Sequence, residues 1–272
     1  MAHDKYVRRA YGLLAAITAI AATHSASAQQ TIASALPDWS GVWQMTNNTV
    51  FDQATVDPPG GSSNAPGTRE YPPYNDEWEA RYAANRERVR LGQFPDPITT
   101  CGTPAGFPRM MNLPAGIEFV VRPEQVWIIT EDGPNIMRIY TDGRSHPAPE
   151  DRWPTYSGES VGRWAGDTLV FETISLKGDG DAILDRTGLV LSTEARIVTR
   201  LRRAEDELME AQFTIEDPEA LTAPWHVVKQ YRKLEPGTRM IEFACAENNR
   251  NPVDAAGRTL TLDREGNILD DL

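Results

Sequence analysis

From residue 117 to residue 233 the chain is a train of short runs in which apolar and polar residues alternate. That period of two restricts its fold more than any other feature. IEFVV (117–121), QVWIIT (125–130), IMRIYT (136–141), DTLVFETI (167–174), EARIVTRLRR (194–203), ELMEAQFTIE (207–216) and WHVVKQYRK (225–233) all suit strands, and RMIEFACA (239–246) extends the series. Turn-forming stretches such as Arg122-Pro123-Glu124 and Glu235-Pro236-Gly237 separate them. In 207–216, Met209, Ala211, Phe213 and Ile215 fall on one face and Glu210, Gln212 and Thr214 on the other. In 194–203, Ile197 and Leu201 oppose Arg196, Val198, Arg200 and Arg202. Strands with one dry and one wet face belong to antiparallel sheets. A succession of hairpins with so little helix between them predicts a mainly β, antiparallel barrel, closed so that its edges disappear. Its interior is either filled by side chains or holds a ligand. TLTLDREGNIL (259–269) reads as one more small hairpin.

Two regions depart from the pattern. Residues 52–75 are crowded with Pro, Gly, Ser and Asn and cannot form a continuous element. Residues 76–92 have helical composition, beginning with acids and ending in arginines as the helix dipole prefers. Trp78, Tyr82 and Val89 give that helix a narrow apolar stripe, which places it on a surface. Residues 52–116 are therefore expected to form one loop-and-helix excursion lying against a single barrel domain spanning 29–272.

The first 28 residues read as a leader: a charged start, an apolar run and a small-residue cleavage signal ending at Ala28. Arg8-Arg9 is compatible with twin-arginine export and equally with an ordinary basic start. The expectation is a periplasmic or secreted protein with no membrane insertion. The formal charge of the chain is −12, and loss of Asp4, Lys5, Arg8 and Arg9 with the leader takes it near −14. Such a chain is repelled by nucleic acid, which excludes that class of partner. Cys101 and Cys245 are the only cysteines. In an oxidising compartment they are expected to pair. So long a closed loop contributes about 4–5 kcal/mol in the chain-entropy account.

Two resemblances bear on the whole. Gly41-Val42-Trp43, opening the first strand, resembles the Gly-x-Trp of lipocalin-like (calycin) barrels, and Gly162-Arg163-Trp164 repeats it. The resemblance implies a Trp closing the barrel floor beside an Arg from a late strand, a place that falls to Arg232. DGRSHP (142–147), SVGRWAGDTLVFET (160–173), IEDPEALTAPW (215–225) and CAENNR (245–250) together resemble a large family of exported bacterial proteins of unassigned function. That likeness runs from about Asp38 to Arg250. It implies a secreted β-rich domain and brings no activity with it. Many members carry histidines after an LDR-x-G motif, whereas residues 189–196 of this chain have none.

Candidate chemistry is dispersed. Asp142-Gly143 ends an alternating run and reads as a hairpin turn, with Tyr140 before it and Arg144 and His146 after it. Pro147, Pro149 and Pro154 stiffen the loop beyond, which can therefore also present His146 as a general acid or base. In Leu184-Asp185-Arg186-Thr187-Gly188, Asp185 either pairs locally or moves protons, and Arg186 is free to meet a carboxylate or phenolate. Glu247, Asn248 and Asn249 come just after Cys245 and either wall a polar pocket or satisfy a strand end, with Arg109 as a charge partner. Met110 and Met111 suit adaptable packing. Glu118, Glu131, Glu172 and Glu242 lie in apparent strands, and any that faces the interior would have a raised pKa. Trp127 and Trp225 read as core or barrel lining.

His146 and His226 are the only histidines beyond the leader and have no metal-ligand spacing, so no metal is expected. No nucleotide fingerprint or nucleophile elbow occurs, and no cofactor is expected. Two functions fit. One is a cofactor-free lyase, dehydratase or isomerase acting on a small apolar or aromatic compound. Its proton movers would be His146, Asp142, Asp185 and Glu247, with Arg144, Arg186, Arg109, Tyr140, Asn248 and Asn249 holding substrate. The other is a periplasmic barrel that binds such a compound unchanged, and a structural envelope protein stands behind both as a third option. Convergence of at least two of the polar groups in one apolar pocket separates the two.

Overall fold

Strand β1 (Val42–Met45) is followed, after helix α1 (Asp76–Arg90), by β2 (Gly116–Val121), β3 (Gln125–Thr130), β4 (Asn135–Tyr140), β5 (Glu159–Ala165), β6 (Thr168–Ile174), β7 (Arg196–Glu205), β8 (Leu208–Glu216) and β9 (Trp225–Lys233). This computed structural model describes residues 36–46, 72–93, 95–96, 105–131, 135–178, 183–241, 252–258, 260, 262 and 267–268. The expected leader, both cysteines, Glu242, Glu247, Asn248 and Asn249 lie outside the described residues.

Each strand pairs with its neighbour in sequence, and β9 pairs with β1, so the nine strands close into a barrel. The expected alternation is what turns side chains inward. Met209, Ala211, Phe213 and Ile215 of β8 are all buried, as are Ile197, Thr199 and Leu201 of β7. The register Leu201↔Ala211 and Thr199↔Phe213 puts these inward rows side by side.

One pair breaks the expected meander. β4 and β5 run parallel, with Ile139 opposite Ser160 and Tyr140 opposite Val161. Asp142-Gly143 is therefore not a hairpin turn. Gly143 has the positive φ such a turn requires, +86°. Residues 141–158 then loop out and return to the same end of β4, where β5 begins, a parallel pair that a tight turn cannot make. Pro147, Pro149 and Pro154 keep that stretch out of the sheet. β5 itself, with Gly162 and Arg163 at its centre, lacks a clean alternation; only Ser160 of its residues is fully buried. Arg239–Ile241, expected as the start of a further strand, runs as coil, and Leu262 bridges Ile268 as the terminal hairpin requires.

The interior is filled by the protein itself. Residues 105–113 enter the barrel, and Phe107 lies 5.9 Å from Phe171 and 6.0 Å from Phe213, centroid to centroid. Met110 and Met111 are fully buried, and Tyr231 donates its hydroxyl to Met111 O at 2.6 Å. Burial holds that phenol neutral far above the ordinary tyrosine range. Gly106 fixes the entry: its φ is +67°, and a Cβ there would stand 2.3 Å from Tyr156 O. Arg109, buried in this segment, donates Nη2 to Asp96 Oδ2 at 2.5 Å. The described part of the interior is thus a packed core.

Both Gly-x-Trp tryptophans meet one residue. Trp43 donates Nε1 to Trp39 O at 3.0 Å, and the Trp164 ring lies 5.2 Å from that of Trp39. The late-strand cation over Trp43 is Lys233, 5.5 Å from the ring centroid, and Arg232 is exposed instead. In the register Trp43 faces Lys233 across β1 and β9.

Helix α1 is capped by Asn75, whose Oδ1 accepts from Trp78 N at 3.1 Å. It buries Trp78 and Tyr82 and docks on two loops. Tyr82 Oη lies 3.0 Å from Thr187 Oγ1, Asn85 Nδ2 donates to Gly188 O at 2.9 Å, and Asn75 N donates to Ala220 O at 2.9 Å. No described helix is long and apolar enough to cross a membrane.

Candidate functional site

The parallel crossover lies over the outer face of β5, β6 and β7 and leaves a cleft of about 440 Å³ beneath it. Register explains the lining. Val161, Glu172 and Val198 sit in one cross-strand row, and Arg163, Val170 and Arg200 in the next. All point outward, opposite to the buried Phe171 and Thr199. The floor is valine, and Arg144 of the crossover, Arg163, Glu172 and Arg196 stand around it.

His146 reaches from the crossover into this wall. Its Nδ1 meets Glu159 Oε2, and its Nε2 lies 3.4 Å from Glu172 Oε1. An ionised carboxylate only accepts, so Nδ1–H is the donor towards Glu159. Nε2 is enclosed and makes no aligned hydrogen bond. Glu172 is shared: Arg196 Nη2 donates to its Oε2, and Arg196 Nη1 donates to Glu216 Oε2 at 2.8 Å. The two carboxylates raise the Arg196 pKa, Glu172 first among them. Glu159, His146, Glu172, Arg196 and Glu216 therefore form one chain of polar contacts across the outer sheet.

Beside it, Arg144 grips Asp142 through Nε at 2.9 Å and Nη2 at 2.6 Å, and its guanidinium stacks over Tyr140 at 4.0 Å. The guanidinium holds the exposed Asp142 carboxyl below its usual range. Asp142 is thus engaged as a clamp on Arg144. Arg163 has no hydrogen-bond or ion-pair partner among the described residues, so it is the cation the cleft leaves uncommitted.

The structure keeps His146, Asp142, Arg144 and Tyr140 in one locality, as their nearness in sequence implies. Glu172, which sequence reasoning groups only with other strand carboxylates, is the acid that lines the cleft, and Glu159 carries no sequence signal that singles it out. Their register opposite Val161 and Ile174 is the missing information, because β5 lacks a strand pattern of its own. The other candidates serve elsewhere. Asp185 is buried and accepts from Thr187 N at 2.8 Å and Thr187 Oγ1 at 2.6 Å, shaping the loop on which α1 docks. Arg186 is exposed and makes no ion pair with it. Arg109 is committed to the buried pair with Asp96. Glu118 turns outward, and Glu131 accepts from Gly116 N and Ile241 N at 2.8 and 3.0 Å. Trp225 is core, whereas Trp127 lies on the outer face between Arg122 and Arg138, each 5.8 Å from its ring. Among the described residues no cluster of three His, Cys, Asp or Glu is arranged to hold a metal.

No family model and no curated protein matches this sequence. The barrel has the closed, mainly antiparallel form consistent with lipocalin-like proteins, and that form is compatible with a binding role. Unlike a barrel with a central ligand, it leaves its most accessible chemistry on the outside, around His146 and Glu172.

Proposed function

We propose that this protein is a binding barrel for a small compound with an apolar or aromatic body and one anionic group, seated in the outer cleft. The observation that carries this reading is a valine floor of Val161, Val170 and Val198 beneath the uncommitted Arg163. A cavity of about 440 Å³ has the capacity of an ordinary small-molecule site. Arg163 presents a planar set of donors suited to a carboxylate. Glu172, anchored by Arg196, disfavours dianionic ligands. Export to the periplasm, a Cys101–Cys245 bridge and kinship with the exported family belong to the same proposal, supported by the leader-like start and the four motifs.

The test is calorimetric titration with 4-phenylbutyrate and with its neutral amide, on wild type and Arg163→Ala. Tighter binding of the carboxylate than the amide in wild type, with the difference lost in Arg163→Ala, supports the proposal. Equal binding of both, or binding of neither, overturns it. A catalytic reading retains one specific observation, the approach of His146 Nε2 to Glu172 Oε1. It requires that a bound ligand be converted over time and that His146→Ala abolish conversion.

A further inference from the structure

On the far side of His146 the crossover frames a second cleft, of about 250 Å³, whose features suit a different class of ligand. Trp153 stands on its rim and is 73% exposed, more than any other large apolar side chain described. Leaving an indole in water forgoes the burial that tryptophan normally secures. The loop does not hold it there by looseness. Asp151 N donates to Ala148 O at 2.9 Å, and Arg152 Nε donates to Pro147 O at 2.7 Å. Thr155 N donates to Ser175 O at 3.0 Å, and Lys177 N donates back to Thr155 O at 2.9 Å. Pro149 and Pro154 flank the same turn, and Gly158 closes it with φ +66° where a Cβ would stand 2.7 Å from Ile174 O. The tryptophan is therefore displayed on a fixed mount.

The remaining lining supplies negative charge. Glu159 offers one carboxylate oxygen to His146, and its second oxygen, Oε1, has no partner among the described residues. The Asp151 carboxylate likewise has none. The lining's cation, Arg152, is turned to the Pro147 carbonyl. An aromatic face beside two carboxylates, Glu159 engaged through one oxygen by His146 and Asp151 without a partner among the described residues, is an arrangement that recognises an organic cation: the ring attracts charge through its quadrupole and the acids supply the counterion.

We propose that the cleft between Trp153 and Glu159 is a separate site for a small organic monocation carrying alkyl or aryl groups on nitrogen, such as a quaternary ammonium. This rests on Trp153, Asp151 and Glu159 and is independent of the anion-binding reading of the first cleft.

The experiment compares choline with 3,3-dimethyl-1-butanol, which has the same shape with carbon in place of the charged nitrogen. Binding is measured by calorimetry and by tryptophan fluorescence in wild type, Trp153→Ala, Asp151→Asn and Arg163→Ala. Wild type is expected to bind choline roughly tenfold more tightly than the neutral isostere, the scale of one cation–aromatic contact with its counterion. Trp153→Ala should lose that preference, Asp151→Asn should weaken choline several-fold, and Arg163→Ala should leave choline binding unchanged. Trp153 is exposed, so its removal leaves the fold intact, and an unchanged thermal midpoint verifies this. Equal affinity for the two compounds, no binding of choline, or a preference that survives Trp153→Ala would each overturn the proposal. Failure of 4-phenylbutyrate to bind has no bearing on it, which keeps the two readings distinguishable.

Discussion

Replacing Phe107 by Ala tests whether the chain fills its own barrel. Phe107 is 2% exposed and is wedged between Phe171 of β6 and Phe213 of β8. Truncating a buried Phe to Ala removes its transfer free energy and leaves a cavity, together about 3–5 kcal/mol. The upper half of that range applies here for two reasons. The ring makes two tilted aromatic contacts that add to simple burial. The void also lies among strands locked in a closed ladder, which cannot collapse to fill it. For a domain of this size each kcal/mol lowers the thermal midpoint by about 2–4 °C, so the expected drop is roughly 8–20 °C. Chemical denaturation of wild type and variant measures the loss directly. A dry cavity lined by phenylalanine takes up benzene, so saturating benzene should recover part of the midpoint in the variant and none in wild type. Trp153→Ala, exposed, serves as the control and should change stability by no more than about 0.5 kcal/mol. A loss below about 1 kcal/mol in Phe107→Ala would refute the packed interior and reopen the barrel as a ligand chamber.

Two further outcomes concern buried groups. Burial holds the phenols of Tyr74 and Tyr231 neutral well above their ordinary value of 10.0. Above that value the unfolded chain has given up protons that the folded chain keeps, so stability is complete below pH 10.0 and falls as pH rises past it. Each phenol contributes a slope of about 1.4 kcal/mol per pH unit, and urea midpoints across that range should flatten when both are changed to Phe; an unaltered slope rejects the assignment. Asp185→Ala should cost about 1–3 kcal/mol by leaving the Thr187 amide unpaired and the Thr187 hydroxyl with Tyr82 alone, with binding of 4-phenylbutyrate and choline intact; a variant of normal stability that has lost binding would return Asp185 to the site.

The strands are legible in the sequence wherever one face is dry. Met209, Ala211, Phe213 and Ile215 announce β8 because burial selects every second residue, and the same rule places Ile197 and Leu201 inside β7. β5 is not legible, because both of its faces are compromised. Gly162 leaves no side chain where Phe171 Cβ and Ile139 approach, and on the outer face Arg163 lines one cleft and Glu159 the other. The plug is hidden for a different reason. Phe107, Met110 and Met111 have no period at all, since a segment enclosed on every side is apolar without regard to spacing. Asp185 and Asp142 look catalytic in the sequence because a carboxylate near an arginine reads the same whether it positions a loop, clamps a side chain or moves a proton. What separates these roles is which donors surround it, and those come from parts of the chain that sequence alone does not bring together.

The location of the candidate site is a consequence of strand number. Around a closed ring, strands that all alternate in direction must be even in number. This barrel closes with nine, and β9 meets β1 antiparallel, so parity demands a parallel pair somewhere. It falls between β4 and β5. The two strands touch only where Ile139 and Tyr140 meet Ser160 and Val161, so β5 starts beside the end of β4 and runs on in the same direction, which a two-residue hairpin cannot achieve. Residues 141–158 form that connection, bringing Arg144 and His146 to outward-facing residues of β5 and β6 and displaying Trp153. A tight hairpin at Asp142-Gly143 would have left Glu172, Val161 and Arg163 on an open, featureless surface. The crossover converts that surface into two walled clefts, with His146 and its two glutamates as the partition between them. A barrel that fills its interior with its own PRMM segment leaves its described clefts on the outside, where the proposed ligands would sit.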